Sequence, residues 1–166
     1  MKTVCVFSIA LAIAVLGCGA TTPDVQNGVP SPTKPLEVVI AAVELQFEDP
    51  SPGGQSVWIA NRGTAEQDIS CLAITAASSG RTAVVRSDTH LAPGRALRFA
   101  TPARMLGSPE TITLADRAGQ VIDRTPQLTD SAGDDQLWFV LPGAPWRFGR
   151  TRLPEIASDG QLVSAC

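Results

Sequence analysis

The sequence has no tyrosine, a single histidine, and only 5% aromatic residues. Tyrosine is the residue most used at adaptable recognition faces, so its absence argues against a broad adhesive surface. With one histidine, any Ser-His-Asp triad must use His90, which sits in the turn before Leu91-Ala92-Pro93-Gly94. No nucleophile-elbow motif accompanies it, and nothing in the sequence suggests triad geometry. The expectation is a solvated loop histidine. A basic excess is also lacking: 13 Lys and Arg stand against 16 Asp and Glu, a net charge of −3. Nucleic-acid binders ordinarily carry a basic balance or stripe. There is no phosphate-cradling glycine loop, no repeat at solenoid or propeller period, and no convincing helical period beyond the first residues.

What is there begins with a short apolar run. Met1 and Lys2 precede "TVCVFSIALAIAVLG", residues 3–17. A membrane-spanning helix needs about 20 apolar residues, and this run stops short at Gly17-Cys18-Gly19. The charged start, short apolar stretch and small residues predict a secretory leader over 1–17 rather than a buried helix. "VLGC", Val15 to Cys18, resembles the lipobox of bacterial lipoproteins. The resemblance implies cleavage before Cys18 and acylation of its sulfur, chemistry that needs a thiolate nucleophile. Two or three acyl chains, at about 0.8 kcal/mol per buried methylene, would anchor the chain firmly. Gly19 follows, not the aspartate that marks inner-membrane retention in that family. The resemblance therefore implies a cell-envelope protein carried on to an outer membrane.

On this reading Cys5 leaves with the leader and Cys18 carries lipid, so Cys71 and Cys166 remain. Disulfides persist in exported proteins, and this even pair is a candidate bridge. It would close a long loop, worth about 4–5 kcal/mol in the chain-entropy model, and hold down residues that otherwise fray. The alternative is a buried thiol at Cys71 and an unrelated free thiol at Cys166. Zinc needs three or four ligands at one site, and two cysteines and one histidine far apart do not supply them. The acidic pairs Glu48-Asp49 and Asp134-Asp135 lie in turn-like segments and are expected to keep loops wet. Residues 130–135, "DSAGDD", lack EF-hand calcium spacing. No metal and no cofactor is expected.

Residues 18–35 combine the anchor with a Pro-, Thr- and Gly-rich linker. Its four prolines make it partly extended, reaching about 50 Å at about 3.1 Å per residue. The body follows over 36–158, with 159–166 as a C-terminal tail. "LEVVIAAVELQFED" alternates, placing Val39, Ala41, Val43, Leu45 and Phe47 on one face, the period of a strand. "SVWIAN", "CLAITA", "TAVVR" and "ALRFA" follow as short strands between Gly and Pro turns. "TITLADRAGQVIDR" reads as a hairpin, "QLWFVL" and "WRF" as the last strands, and "ATPARML" as a short helical turn. Short strands at spacings of about 8–12 residues predict an all-β antiparallel sandwich or barrel.

The order of motifs resembles the lamin tail domain. Asn61, Gly63, Asp68, Ile69 and Ser70 match that family's strand-Asn-turn and Asp-Leu-Ser segment. Leu91 to Gly94 match its Leu-Ala-Pro-Gly turn, and Leu114, Asp116, Gly119, Val121 and Asp123 its late hairpin. "TRLPEIAS" is similar to the closing segment of bacterial members. The resemblance covers 36–158 and implies an immunoglobulin-like β-sandwich that binds or tethers rather than catalyses. Bacterial members resemble envelope proteins or sit beside nucleases and other hydrolases. Two departures stand out: the family's Gly-Trp is Cys71-Leu72 here, and Trp58 stands where a Glu is usual.

By alternation Trp58 points away from Val57, Ile59 and Asn61. On a solvated face it would be a binding anchor; the other reading is that the tail or linker covers it. "WRFGRTR" places Arg147, Arg150 and Arg152 among Trp146 and Phe148. These arginines are candidate binding residues that could grip phosphates, or they protect a strand edge with charge. The expectation is a non-catalytic, lipid-anchored module, membrane-bound through its N-terminal lipid, that docks an envelope protein or surface polymer. The alternatives are a secreted hydrolase or its accessory subunit, and a surface nucleic-acid binder.

Overall fold

Thirteen strands carry the fold in the computed structural model, which describes residues 36–45, 54–130, 134, 136–150 and 156–166. The leader, Cys18, the linker, Phe47, Glu48-Asp49 and Arg152 lie outside the described residues. The strands are β1 (Val38–Glu44), β2 (Ser56–Asn61), β3 (Gln67–Asp68), β4 (Ala73–Ala76), β5 (Thr82–Val85), β6 (His90–Leu91) and β7 (Ala96–Ala100). They continue as β8 (Ile112–Ala115), β9 (Val121–Arg124), β10 (Leu137–Phe139), β11 (Arg147–Gly149), β12 (Ile156–Gly160) and β13 (Leu162–Val163). No helix occurs among the described residues. Pro102 to Met105 make a turn, closed by Met105 N–H donating to Pro102 C=O at 3.0 Å, where "ATPARML" had suggested helix.

A six-stranded sheet, in the order β11-β10-β1-β2-β7-β12, faces a five-stranded sheet, β13-β5-β4-β8-β9, and β3-β6 form a small ribbon. All pairings are antiparallel except β12 with β7. The fold is an all-β, immunoglobulin-like sandwich. Its core joins Ile40, Val43, Val57, Ile59, Leu97 and Phe99 of the first sheet to Ile74, Val85, Ile112 and Leu114 of the second. Fully burying each such side chain contributes about 1.5–3 kcal/mol.

Strand β1 departs from simple alternation. Ile40 pairs with Ile59 and Ala42 with Trp58, so two residues of β1 advance against one of β2. Ala41 is the extra residue, a β-bulge that reverses the phase of everything after it. The core therefore takes Val38 and Ile40 before the bulge and Val43 and Leu45 after it. Val39 and Ala41 do not join Val43 on one face, because period-2 reading admits no insertion. Asp123 of β9 meets the bulge: its Oδ2 accepts from Ile40 N–H at 2.8 Å, linking the two sheets.

Residues 159–166, read as a tail, belong to the sandwich. β12 lines the edge of the first sheet, and two residues later β13 lines the edge of the second. One segment thus turns a corner between sheets. Gly160 is required there: a Cβ at that position would collide with the ring of buried Phe99.

Candidate functional site

The corner ends in the bridge Cys71–Cys166, with Cα atoms 5.7 Å apart and 95 residues of separation. That spacing lies within the range a disulfide spans without moving the backbone. Cys71 has φ of 61°, a left-handed conformation that a glycine adopts without steric cost. Cysteine here takes on the strain of a glycine position and supplies the covalent tie. Its N–H donates to Val85 C=O at 2.9 Å, which holds the turn in place.

The polar residues that carry the family resemblance are occupied in fastening turns. Asn61 Nδ2 donates to Leu91 and Ala65 carbonyls, both at 2.8 Å, while its Oδ1 accepts from Gly63 N–H. Asp116 Oδ1 accepts from Ala118 and Gln120 N–H groups around Gly119, whose φ is 80°. Asp68 Oδ1 accepts from Ser70 N–H at 2.9 Å. Hydrogen bonds from Ser70, first through its side chain and then its backbone, hold the Asp68 carboxyl below its usual pKa. Such bonds favour the charged form.

Glu110 is a further anchor, as enclosed as Asn61 at 1% exposure. It accepts from the Ser78 hydroxyl, Ser78 N–H at 3.0 Å, Gly107 N–H at 2.8 Å and Thr111 N–H at 2.9 Å. Burial pushes its pKa up, and the donors, led by the Ser78 hydroxyl, outweigh burial and hold it below the usual value. It welds the β4–β5 turn to the segment before β8.

Across the outer face of the six-stranded sheet runs one row of directly opposed residues. Arg147 faces Phe139, Phe139 faces Ala42, Ala42 faces Trp58, Trp58 faces Arg98, and Arg98 faces Asp159. Trp58 does point away from the core, yet it is only 6% exposed and packs with Ala41 and Ala42, flanked by Ala60, Leu137 and Phe139. Arg98 lies over its ring, Cζ 5.6 Å from the centroid. Trp58 is therefore not an exposed anchor. Arg147 and Arg150 are exposed. Arg147 stands three strands from Trp58, about 14 Å at the usual strand spacing, so the candidate residues do not converge on one surface.

The arginines instead lie on and just after β11, the returning strand of the β10–β11 hairpin. Its connection is a tight turn in which Ala144 N–H donates to Leu141 C=O at 3.1 Å, with Gly143 at φ of 72°. Pro at the second and Gly at the third position are the residues a type II turn demands. The hairpin is braced from below. Trp138 and Phe148 pack at 5.3 Å between ring centroids, Trp138 Nε1 donates to Thr129 C=O at 3.0 Å, and Arg62 donates to Val140 C=O at 2.9 Å. Of the three large hydrophobic side chains exposed among the described residues, two lie here: Leu141 at 41% and Phe148 at 39%. Sequence reasoning passed over Leu141 to Pro145. The available signal was an uncharged "LPGAPW" connecting two strands where a polar turn is the rule.

Two surface clefts open beside the C-terminal corner. One, of about 540 Å³, is lined by Glu66, Arg86, Asp88, His90, Arg95 and Asp159 among others. His90 lies here, its Nδ1 3.8 Å from Glu66 Oε1, with both side chains largely exposed. Arg86 Nη1 donates to Gln161 Oε1 at 2.6 Å. The other cleft, of about 960 Å³, runs beneath the Cys71–Cys166 bridge past Arg117. Among the described residues no group of three or more His, Cys, Asp or Glu is placed to hold a metal ion. Asp134 accepts from both the backbone and side chain of Gln136, at 2.9 and 2.6 Å. No family model matches the chain, and no curated protein matches it.

Proposed function

We propose that the protein is exported, held at the cell envelope by lipid on Cys18, and displays its sandwich as a non-catalytic docking module for an envelope protein or surface polymer. The observation that carries this reading is the Cys71–Cys166 bridge. Such bridges persist in oxidising compartments and are rare where glutathione keeps thiols reduced. A bridged pair also leaves Cys18 as the remaining cysteine once a leader carrying Cys5 is removed. The lipobox resemblance of Val15 to Cys18 gives that cysteine its chemistry, and Gly19 favours the outer membrane. The resemblance to lamin tail domains points to tethering. In the same direction, Asn61, Asp68 and Asp116 are engaged in holding turns, and Asp123 in holding the β1 bulge, rather than presented to a substrate.

The test is metabolic labelling with a radioactive fatty acid, followed by fractionation. Wild type should take up label and partition with the envelope. Cys18→Ser should lose the label and remain as an uncut precursor or leave the membrane fraction. A Cys18→Ser protein of unchanged mass and location overturns the anchor.

A further inference from the structure

We propose that the tip of the β10–β11 hairpin, Leu141 to Phe148, is a membrane-contact site that seats in the interface of an anionic bilayer. The tip is uncharged from Leu141 to Trp146. Leu141, Pro142, Gly143 and Pro145 are exposed, Trp146 is half-buried with part of its side chain packed against the core, and Phe148 is exposed on the returning strand. An exposed turn with no polar side chain finds no hydrogen-bonding role for those side chains in water, whereas Trp, Phe and Leu are the residues that partition into the headgroup boundary. The type II turn and the Trp138–Phe148 packing make the tip rigid, so little ordering entropy is lost on insertion.

Charge selects the occupant. The whole chain carries −3, yet the only charged residues between Gln136 and Arg150 are Arg147 and Arg150. Both are exposed at the base of the tip, and neither has an ion-pair partner among the described residues. Cations set just behind an apolar tip lie where lipid phosphates would be. A second copy of this chain fits poorly, because pairing β11 with its own equivalent brings like charges together. The inference takes its location from the lipid-anchor reading: a chain tethered by about 50 Å of linker presents the tip to the same bilayer at high effective concentration.

The experiment reconstitutes the full, lipid-bearing chain into vesicles whose acyl chains carry bromine, a short-range quencher of tryptophan. Vesicles are made of phosphatidylcholine alone or mixed with phosphatidylglycerol. The chain has three tryptophans, so Trp146→Phe isolates the tip. Quenching in the mixed vesicles should be strong for wild type and lost in Trp146→Phe. Leu141→Asp, at an exposed position, should reduce it. Arg147→Gln with Arg150→Gln should lower the ratio of docked to undocked chain roughly thirtyfold, and added salt should act in the same direction. An intact Cys71–Cys166 bridge in each variant, read by thiol labelling, reports that the fold is kept. Quenching that survives in Trp146→Phe, or that is the same in both kinds of vesicle, overturns the proposal. Acyl chains on Cys18 with no quenching at Trp146 would sink the tip and leave the anchor standing. No acyl chain on Cys18, with Trp146-dependent quenching when the chain is added to preformed anionic vesicles, would sink the anchor and leave the tip standing.

Discussion

The carboxylate of Asp123 accepts a hydrogen bond from the backbone N–H of Ile40, 83 residues earlier, at 2.8 Å. A bulge removes a backbone group from its ladder, and a buried N–H without an acceptor is costly. Asp123 answers that need from the opposite sheet. Asp123→Ala should lower stability by about 1.5–3 kcal/mol, the range for hydrogen bonds to charged groups. Urea unfolding measures it; an unchanged midpoint would show that Ile40 N–H finds another acceptor.

The Cys71–Cys166 bridge holds the corner formed by β12 and β13. Its loss in Cys166→Ser, or on reduction, should cost about 2–5 kcal/mol. Limited proteolysis should then release the last residues while the remaining sandwich persists. Equal protease resistance with and without reductant would mean that pairing alone secures the corner.

Glu110 gives the stability a defined pH dependence. Its carboxyl titrates lower in the folded chain than its ordinary value of 4.5. Its contribution is therefore fully present above that value and is lost as pH falls below it through the folded pKa. Glu110→Gln should remove this acid-sensitive part and cost about 1–3 kcal/mol at neutral pH, because donors from Ser78, Gly107 and Thr111 lose their anion. Thermal melts across the acid range, wild type against variant, give the comparison. Parallel curves would place the acid sensitivity elsewhere.

Gly160 lies against the ring of Phe99 with no room for a methyl group. Gly160→Ala should force Phe99 from its place in the core, at about 1–3 kcal/mol for overpacking. Phe99→Leu in the same chain should restore part of that loss. Failure of the second change to help would point to the backbone of β12 rather than to the ring.

Most of the strands were legible because turns at Ser78 to Gly80, Pro93-Gly94 and Asp116 to Gly119 mark them with residues suited to positive φ. The bridge was legible by counting the cysteines left once a leader and a lipid anchor were assigned to Cys5 and Cys18. The bulge at Ala41 was not, since an alanine inside an apolar run carries no turn signal and alternation tolerates no insertion. Nor was the corner over 156–163: "IASDGQLV" is short, mixed in polarity, and pairs with strands far away in sequence, one of them in parallel. Trp58 could be assigned to the outer face by parity, but its burial depends on Ala42 and Phe139 from strands that parity does not order. The hairpin tip escaped because an apolar "LPGAPW" resembles strand ends until the turn shows which side chains stand out.

The corner at Gly160 and Gln161 also decides how this molecule can pair with itself. On that flank a single segment forms the last strand of both sheets, one with an irregular register and the other two residues long, features that blunt an edge. Among the described residues the outermost strands of the two sheets at their other ends are β11 and β9. Growth into a fibre requires open edges on both sides. The β12–β13 corner withholds one of them, so neither sheet can be extended strand by strand through that flank.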